Sequence, residues 1–253
     1  MEWVNQVIRY CYDQGWSNTI YSSIILINYA IQFVFLMIYR KKYGVSAWRI
    51  FIAQLIIYPV SYYLMLVLAW IENGFTNWGA NNIVRLFVYV PLVDYVVAKF
   101  VRIPAGKLID ISAPCMALDQ AIGHTVCPFV GCCCGYTCSW GVWNPATNDL
   151  RFPNQWLECL VALIIAIYLL HSAKKENYAG TGRIYALFLV TFGTTRFFLE
   201  FLRDNEKLVM GISNLAFHAL FMAVVGAVWI FVLAEKERED RRKAGIRQQK
   251  RRK

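Results

Sequence analysis

The chain has 253 residues, of which 58% are hydrophobic and 17% charged, and its mean hydropathy is +0.41. That is too apolar for a water-soluble domain of this length, so a bilayer is expected to absorb the excess. The formal net charge of +10 raises nucleic-acid binding as an alternative, but the basic residues sit in a few confined places and are read as membrane topology, with no nucleic-acid partner expected.

In chain order, Met1 to Asn18 is polar and aromatic. The apolar run after it lacks a small-residue cleavage site, so no cleavable signal peptide is predicted and the first span is expected to direct insertion. A helix needs about 20 residues to cross the hydrocarbon core. Seven stretches qualify: approximately Thr19 to Tyr39, Ile50 to Glu72, Ile83 to Val101, Leu108 to Val130, Gln155 to His171, Ile184 to Leu202 and Val209 to Ala234. The fourth and fifth are the weakest by length and polarity. Open strand edges cannot be satisfied in lipid, which leaves helices as the spanning element. Trp3, Trp16, Trp48, Trp70, Trp78, Trp140 and Trp143 fall near the ends of apolar runs, where amphipathic rings favour the headgroup layer.

The positive charge alternates along this frame. Arg40, Lys41, Lys42 and Arg49 follow the first span, Lys99, Arg102 and Lys107 the third, and Lys174, Lys175 and Arg183 the fifth, while ten more Lys and Arg lie between Glu235 and Lys253. By the positive-inside rule these segments face the cytoplasm, and the tail suits anionic lipid at the inner leaflet. The expected architecture is an all-α, multi-pass plasma-membrane protein with about seven transmembrane helices, N-terminus outside and C-terminus cytoplasmic. It divides into one seven-helix membrane domain over 1–234 and a basic cytoplasmic tail over 235–253.

Ionisable groups inside spans are costly and usually have partners. The sixth span holds Arg196, Glu200 and Arg203, at spacings of four and three that stack the side chains on one helix face. The bland reading is an ion pair that fixes packing. Two arginines around one carboxylate, with planar forks suited to phosphate oxygens, read better as a site for an anionic lipid headgroup. Asp94 in the third span and Asp110 in the fourth are taken as structural. Asp119 and His124 in the fourth and Glu158 in the fifth complete the set. His171 reads as interfacial, and His218 suits a core hydrogen bond as well as a functional one. His124, just ahead of a cysteine-rich turn, is placed to titrate or donate.

Five of the eight cysteines crowd between Cys127 and Cys138. Three readings stay open. Cys127, Cys132, Cys138 and His124 supply zinc-type ligands, but they form no two clean Cys-x-x-Cys pairs and adjacent cysteines do not all aim at one ion, so neither a metal nor a cofactor is expected. Exposed thiols on an oxidising face suit a redox or disulfide role. Small, weakly polar residues between glycines also let the backbone turn sharply and pack closely.

The order Gly123-x-x-x-Cys127, Gly131-Cys132-Cys133-x-Gly135, Trp140-Gly141-Val142 and Pro153-Asn154-Gln155 resembles the cysteine-containing variant of the prolipoprotein diacylglyceryl transferase signature. Arg196-Phe197-Phe198-Leu199-Glu200-Phe201-Leu202-Arg203 and Gly211-Ile212-Ser213 resemble two later elements of the same family, so the likeness covers about Leu108 to Phe231. It implies transfer of diacylglyceryl from phosphatidylglycerol to the lipobox cysteine of a prolipoprotein, with membrane lipids and the lipobox segment as partners. It further implies Arg196, Glu200 and His124 as catalytic residues and Arg203, His124, Cys127, Cys132, Gly135 and Gln155 as substrate-binding ones. The chain departs from the family pattern at His124, where the family has arginine, at Phe192, where it has tyrosine, and around Phe87 to Pro91, which lacks the His-Gly-Gly or Tyr-Gly-Gly element. A catalytically degenerate relative that binds lipid or precursor without turnover therefore stands as an alternative, and a thiol redox membrane protein as a third.

Overall fold

The computed structural model describes residues 1–76, 83–175, 178–204 and 212–251. Trp78, Gly211 and the first residues of the predicted seventh span lie outside them. The described residues form eight α-helices and one hairpin: α1 (Glu2–Asp13), α2 (Ser17–Tyr39), α3 (Ala47–Glu72), α4 (Ile83–Val101), α5 (Ala105–Val130), β1 (Thr137–Asn144), β2 (Asp149–Arg151), α6 (Asn154–Ser172), α7 (Arg183–Glu200) and α8 (Asn214–Arg251). Each predicted span has a helix over it, and the chain is a largely helical membrane protein.

Among the described residues, four helical stretches are long and apolar enough to cross a membrane: Ser17–Tyr43, Ala47–Glu72, Asn154–Ser172 and Asn214–Ala244. The other long helices carry more polar sequence: Arg85, Asp94 and Lys99 in α4, Lys107, Asp110 and Asp119 in α5, Arg183, Arg196 and Glu200 in α7. Of these, Asp94, Asp110, Arg196 and Glu200 are buried. Inward polar groups are what lower the apolarity of helices lying inside a bundle.

Helix α5 is the central element. Its Ile109, Ala113, Ala117 and Ala121 join one apolar cluster with α4, α6, α7 and α8, while Leu108, Ile111 and Cys115 join another with α2, α3 and α4. It starts after Pro104 and ends at Gly131, whose φ of 72° lies in the left-handed region that suits a helix C-terminus. Helices α7 and α8 pack closely. A Cβ on Gly193 would meet the Ala219 carbonyl oxygen and the Ala223 nitrogen, both at 2.7 Å, the close backbone approach that small residues permit between membrane helices.

Asp110 acts as structure, as expected. Its Oδ2 accepts the backbone N–H groups of Gly180, Thr181 and Gly182 at 2.8, 3.0 and 3.0 Å, and its Oδ1 those of Ile184 and Tyr185 at 2.9 and 3.2 Å. A carboxylate from α5 thus satisfies orphan donors at the start of α7, where negative charge is also favoured by the helix dipole.

Two elements were not predicted. Residues Glu2 to Asp13 form an amphipathic helix that buries Ile8 and Cys11 and exposes Trp3, Tyr10 and Tyr12. The connection after α5 contains the antiparallel hairpin, paired as Val142 to Arg151, Trp143 to Leu150 and Asn144 to Asp149. The two pack together through Ile8, Val142 and Trp143. Asn5 donates to the Gly141 carbonyl at 3.2 Å and accepts from the Trp143 N–H at 2.9 Å. They cover the end of the bundle where α5 finishes and α6 begins. At the other extreme, α8 runs through Ala234 without a break, so the predicted boundary between domain and tail falls inside one helix.

Candidate functional site

The site is built from four segments that meet under the hairpin: the end of α5, the turn after it, the start of α6 and the end of α7. At its centre is Glu158, 4% exposed. Arg203 grips both carboxylate oxygens, with Nε 2.8 Å from Oε1 and Nη2 2.6 Å from Oε2. Arg196 Nη1 also donates to Oε1, Asn154 Nδ2 donates to Oε1 at 2.6 Å, and His124 Nε2 lies 3.0 Å from Oε2. Glu200 is the second carboxylate. Its Oε2 lies 3.0 Å from Arg196 Nη2 and 3.8 Å from Arg203 Nε, and Ser213 Oγ donates to its Oε1 at 2.9 Å.

The predicted stripe of Arg196, Glu200 and Arg203 is therefore real as a cluster, but its charge differs from the expected net positive face. Glu158 from α6 balances the second arginine, so two guanidinium groups meet two carboxylates, and His124 is hydrogen-bonded to one of them. All four charged side chains are nearly fully buried, and such groups persist away from water when paired and hydrogen-bonded. Sequence spacing does not reveal Glu158, because its arginine partners lie 38 and 45 residues away. Its signal was a lone acid inside an apolar span, which calls for a cationic partner. Asn154, four residues before Glu158 on α6, and Ser213, thirteen after Glu200, were not singled out as site residues.

The cysteine-rich turn forms one wall. Cys127 sits on α5 three residues after His124, its Sγ 3.7 Å from His124 Nδ1. Both nitrogens of His124 are thus occupied, one by Glu158 and one by a thiol. Gln155 donates to the Cys132 carbonyl at 2.9 Å, pinning the turn to the start of α6. Cys133 has a φ of 59°, uncommon for a residue with a side chain. Hydrogen bonds from Cys127 and Cys132, then His124 and the charge of Arg203, pull the Cys133 thiol well below the usual thiol range. Gly135 bridges through its backbone to Arg203, and a Cβ there would stand 2.8 Å from the Leu202 oxygen and 2.9 Å from the Phe152 Cβ. All eight cysteines are free thiols.

The hairpin is tied to the same place. Arg151 holds Asp149 through Nε at 2.8 Å and Nη2 at 3.1 Å and also pairs with Asp204, next to Arg203. Those bonds from Arg151 hold the Asp149 carboxyl below the usual carboxylate range.

Two cavities adjoin α5. A small one is lined by His124, Glu158, Phe192, Thr195 and Arg196. A larger one lies among α2, α3, α4 and α5, with Ile57, Met65, Val90 and Met116 in its wall and Asp119 as its acid. Asn28 donates to Asp119 Oδ1 at 2.8 Å.

Of the residues singled out from sequence, His124, Arg196, Glu200 and Arg203 are brought into one hydrogen-bonded group. Cys127, Cys132, Gly135 and Gln155 form the adjoining turn and its anchor. Asp94 and Asp119 lie elsewhere on α4 and α5, and His218 pairs with Glu72 at 2.9 Å.

Residues 34–232 match the family model described as prolipoprotein diacylglyceryl transferase. The chain is similar to proteins named phosphatidylglycerol–prolipoprotein diacylglyceryl transferase. That of Clostridium tetani is 26% identical over 169 residues, 63% of this chain and 64% of that protein. That of Dehalococcoides mccartyi is 27% identical over 180 residues, 67% of this chain and 65% of its own. One from Streptomyces coelicolor is 26% identical over 176 residues, 65% of this chain and 48% of that protein. The chain thus spans slightly less than two thirds of the length of the first two of these relatives.

Proposed function

This chain belongs to the prolipoprotein diacylglyceryl transferase family, and from that premise we propose that it transfers diacylglyceryl from phosphatidylglycerol to the lipobox cysteine of a prolipoprotein. The acceptor sulfur bonds to the glyceryl carbon that bears the phosphodiester. The C–O bond at that carbon breaks, its electron pair leaves on glycerol phosphate, and the thiol proton is lost. A thiol is a poor nucleophile until it becomes a thiolate, and the leaving phosphate needs cationic stabilisation.

The observation that carries this reading is the pair of buried guanidinium groups of Arg196 and Arg203 held on Glu158. Buried charge inside a membrane bundle is costly and commonly marks a substrate site. Arg196 and Arg203 receive the phosphate, with Glu158 and Glu200 holding their forks in place beforehand. His124 acts through Glu158, since its Nε2 is engaged there. Gly135, Gln155 and the main chain around Cys127 and Cys132 shape the headgroup wall, and the apolar cavity beside Asp119 takes an acyl chain of the donor.

The same reading assigns helices α2 to α8 as seven plasma-membrane crossings, with α1 and the hairpin on the outer face. The basic segments near Arg40, Lys99 and Lys174 and the tail favour the cytoplasmic side. A lipid-binding relative without turnover is the second reading, favoured by His124 in the place of the family arginine.

The test is purified protein with labelled phosphatidylglycerol and a lipobox peptide, alongside Arg196→Ala and His124→Ala. Label should move to the peptide with the parent protein and fall sharply with Arg196→Ala. Retention of the lipid without any transfer supports the second reading.

A further inference from the structure

One set of side chains borders the arginine cluster and shares His124 with it. A ring nitrogen of His124, Sγ of Cys127 and Sγ of Cys133 all lie within 4.8 Å of one another. We propose that these three side chains form a zinc site with an open fourth position. The assignment rests on the geometry of these three side chains, and its test reads bound metal and not transfer.

The distances suit the ion. Around a tetrahedral zinc, a sulfur at about 2.3 Å and a nitrogen at about 2.05 Å stand about 3.6 Å apart. Cys127 Sγ and His124 Nδ1 are 3.7 Å apart. Three atoms no more than 4.8 Å apart share a midpoint within about 2.8 Å of each, so an ion there needs shifts of about half an ångström to reach bonding distance.

The surroundings suit it as well. His124 and Cys127 are three residues apart on α5 and share one helix face. Cys133 comes from beyond the helix end, in the left-handed conformation already noted. A residue held in that region at a cluster of ligating groups has a backbone strain that function can explain. The other nitrogen of His124 faces Glu158 Oε2 at 3.0 Å. A carboxylate on the far nitrogen is the usual partner of a metal-bound imidazole, fixing its tautomer and orientation. With the proton on Nε2, the lone pair of Nδ1 faces the sulfurs.

The chemistry of the donor set narrows the ion. Two thiolates and an imidazole favour zinc over oxygen-seeking cations, and Cys₂His with a vacant position is a known catalytic zinc arrangement. Two thiolates offset the charge of the ion, so it adds no net charge beside Arg196 and Arg203. The sequence offered Cys127, Cys132, Cys138 and His124 as ligand types and no metal was expected from them; the fold instead brings Cys133 to His124 and Cys127.

Protein purified in detergent under reducing conditions is loaded with zinc, freed of excess ion and assayed by elemental analysis. One zinc per chain is expected. Cys127→Ser and Cys133→Ser should each lower zinc retention at least tenfold, in line with the effect of losing a ligand or its support, while Cys159→Ser, which is not one of the three grouped side chains, retains it. Cobalt loading of the unmodified protein should give thiolate-to-metal charge-transfer absorption, a readout that does not depend on any variant folding. Less than a tenth of a zinc per reduced chain, equal zinc in the Cys127→Ser, Cys133→Ser double variant, or a cobalt spectrum without sulfur ligation would overturn the proposal. So would a Cys127–Cys133 disulfide whose reduction does not restore zinc binding.

Discussion

Glu158 receives hydrogen bonds from Arg196, Arg203 and Asn154 on two oxygens, so the whole cluster depends on its charge. Glu158→Gln leaves two buried guanidinium groups with one carboxylate between them. Breaking a buried ion pair from one side costs about 3–5 kcal/mol, which should appear as a lower unfolding midpoint in detergent. An unchanged midpoint would mean that water already reaches the cluster. Arg203→Lys is a different probe, because a lysine cannot reproduce a fork that meets both oxygens. Transfer should fall about 100-fold with a smaller change in midpoint, measured by label moved to peptide. The Arg196, Glu200 and Arg203 stripe was legible in the sequence, since helical spacing is local. Its counter-charge was not, because Glu158 reaches it only through the packing of α6 on α7, and that pairing has no periodicity to read.

Helices α2 to α8 were legible as elements, since runs of about 20 apolar residues announce themselves. Helix α1 and the hairpin were not. Helix α1 is short and amphipathic, so it gives no hydropathy signal, and β1 carries Gly141 and an irregular register between Thr137 and Val142. Its partner β2 has only the residues Asp149–Arg151, so the alternation that marks a strand hardly develops. Asp110 was expected to be structural, and its role is specific: five backbone donors converge on it at the entrance to α7. Asp110→Asn removes the charge and replaces one acceptor oxygen by a donor. Hydrogen bonds to a charged group contribute about 1.5–3 kcal/mol, and a destabilisation of that size or more is expected in thermal denaturation. For the hairpin, Asp149 has a carboxyl held low by Arg151. Its folded value lies below its unfolded one, so its contribution is present above about pH 4 and fades as pH falls through the lowered value. Trp143, within the hairpin, is the reporter: its fluorescence should change at acid pH in the parent protein, and Arg151→Ala should move that change upward.

Across the whole molecule, every observation at the site concerns one end of a helical bundle. The arginine cluster, the thiol turn, α1 and the hairpin all gather where α5 ends and α6 begins. The positive segments lie toward the opposite ends of the helices, and α8 continues as a charged helix past Ala234. If that end is cytoplasmic, a membrane-impermeant reagent applied to intact cells should label a cysteine placed at Asn148, in the hairpin turn, and spare one placed at Glu239 on α8. The reverse pattern would invert the orientation. The sequence carried this arrangement through charge asymmetry and family motifs, whereas the joining of the cluster into one unit required the fold. The most direct test of the transferase account is the mass of a lipobox peptide after incubation with the purified protein and phosphatidylglycerol. The account predicts a gain equal to one diacylglyceryl group on the cysteine sulfur, absent from a Cys→Ser peptide. A peptide that stays unmodified, where the Clostridium tetani relative modifies it under the same conditions, would contradict it.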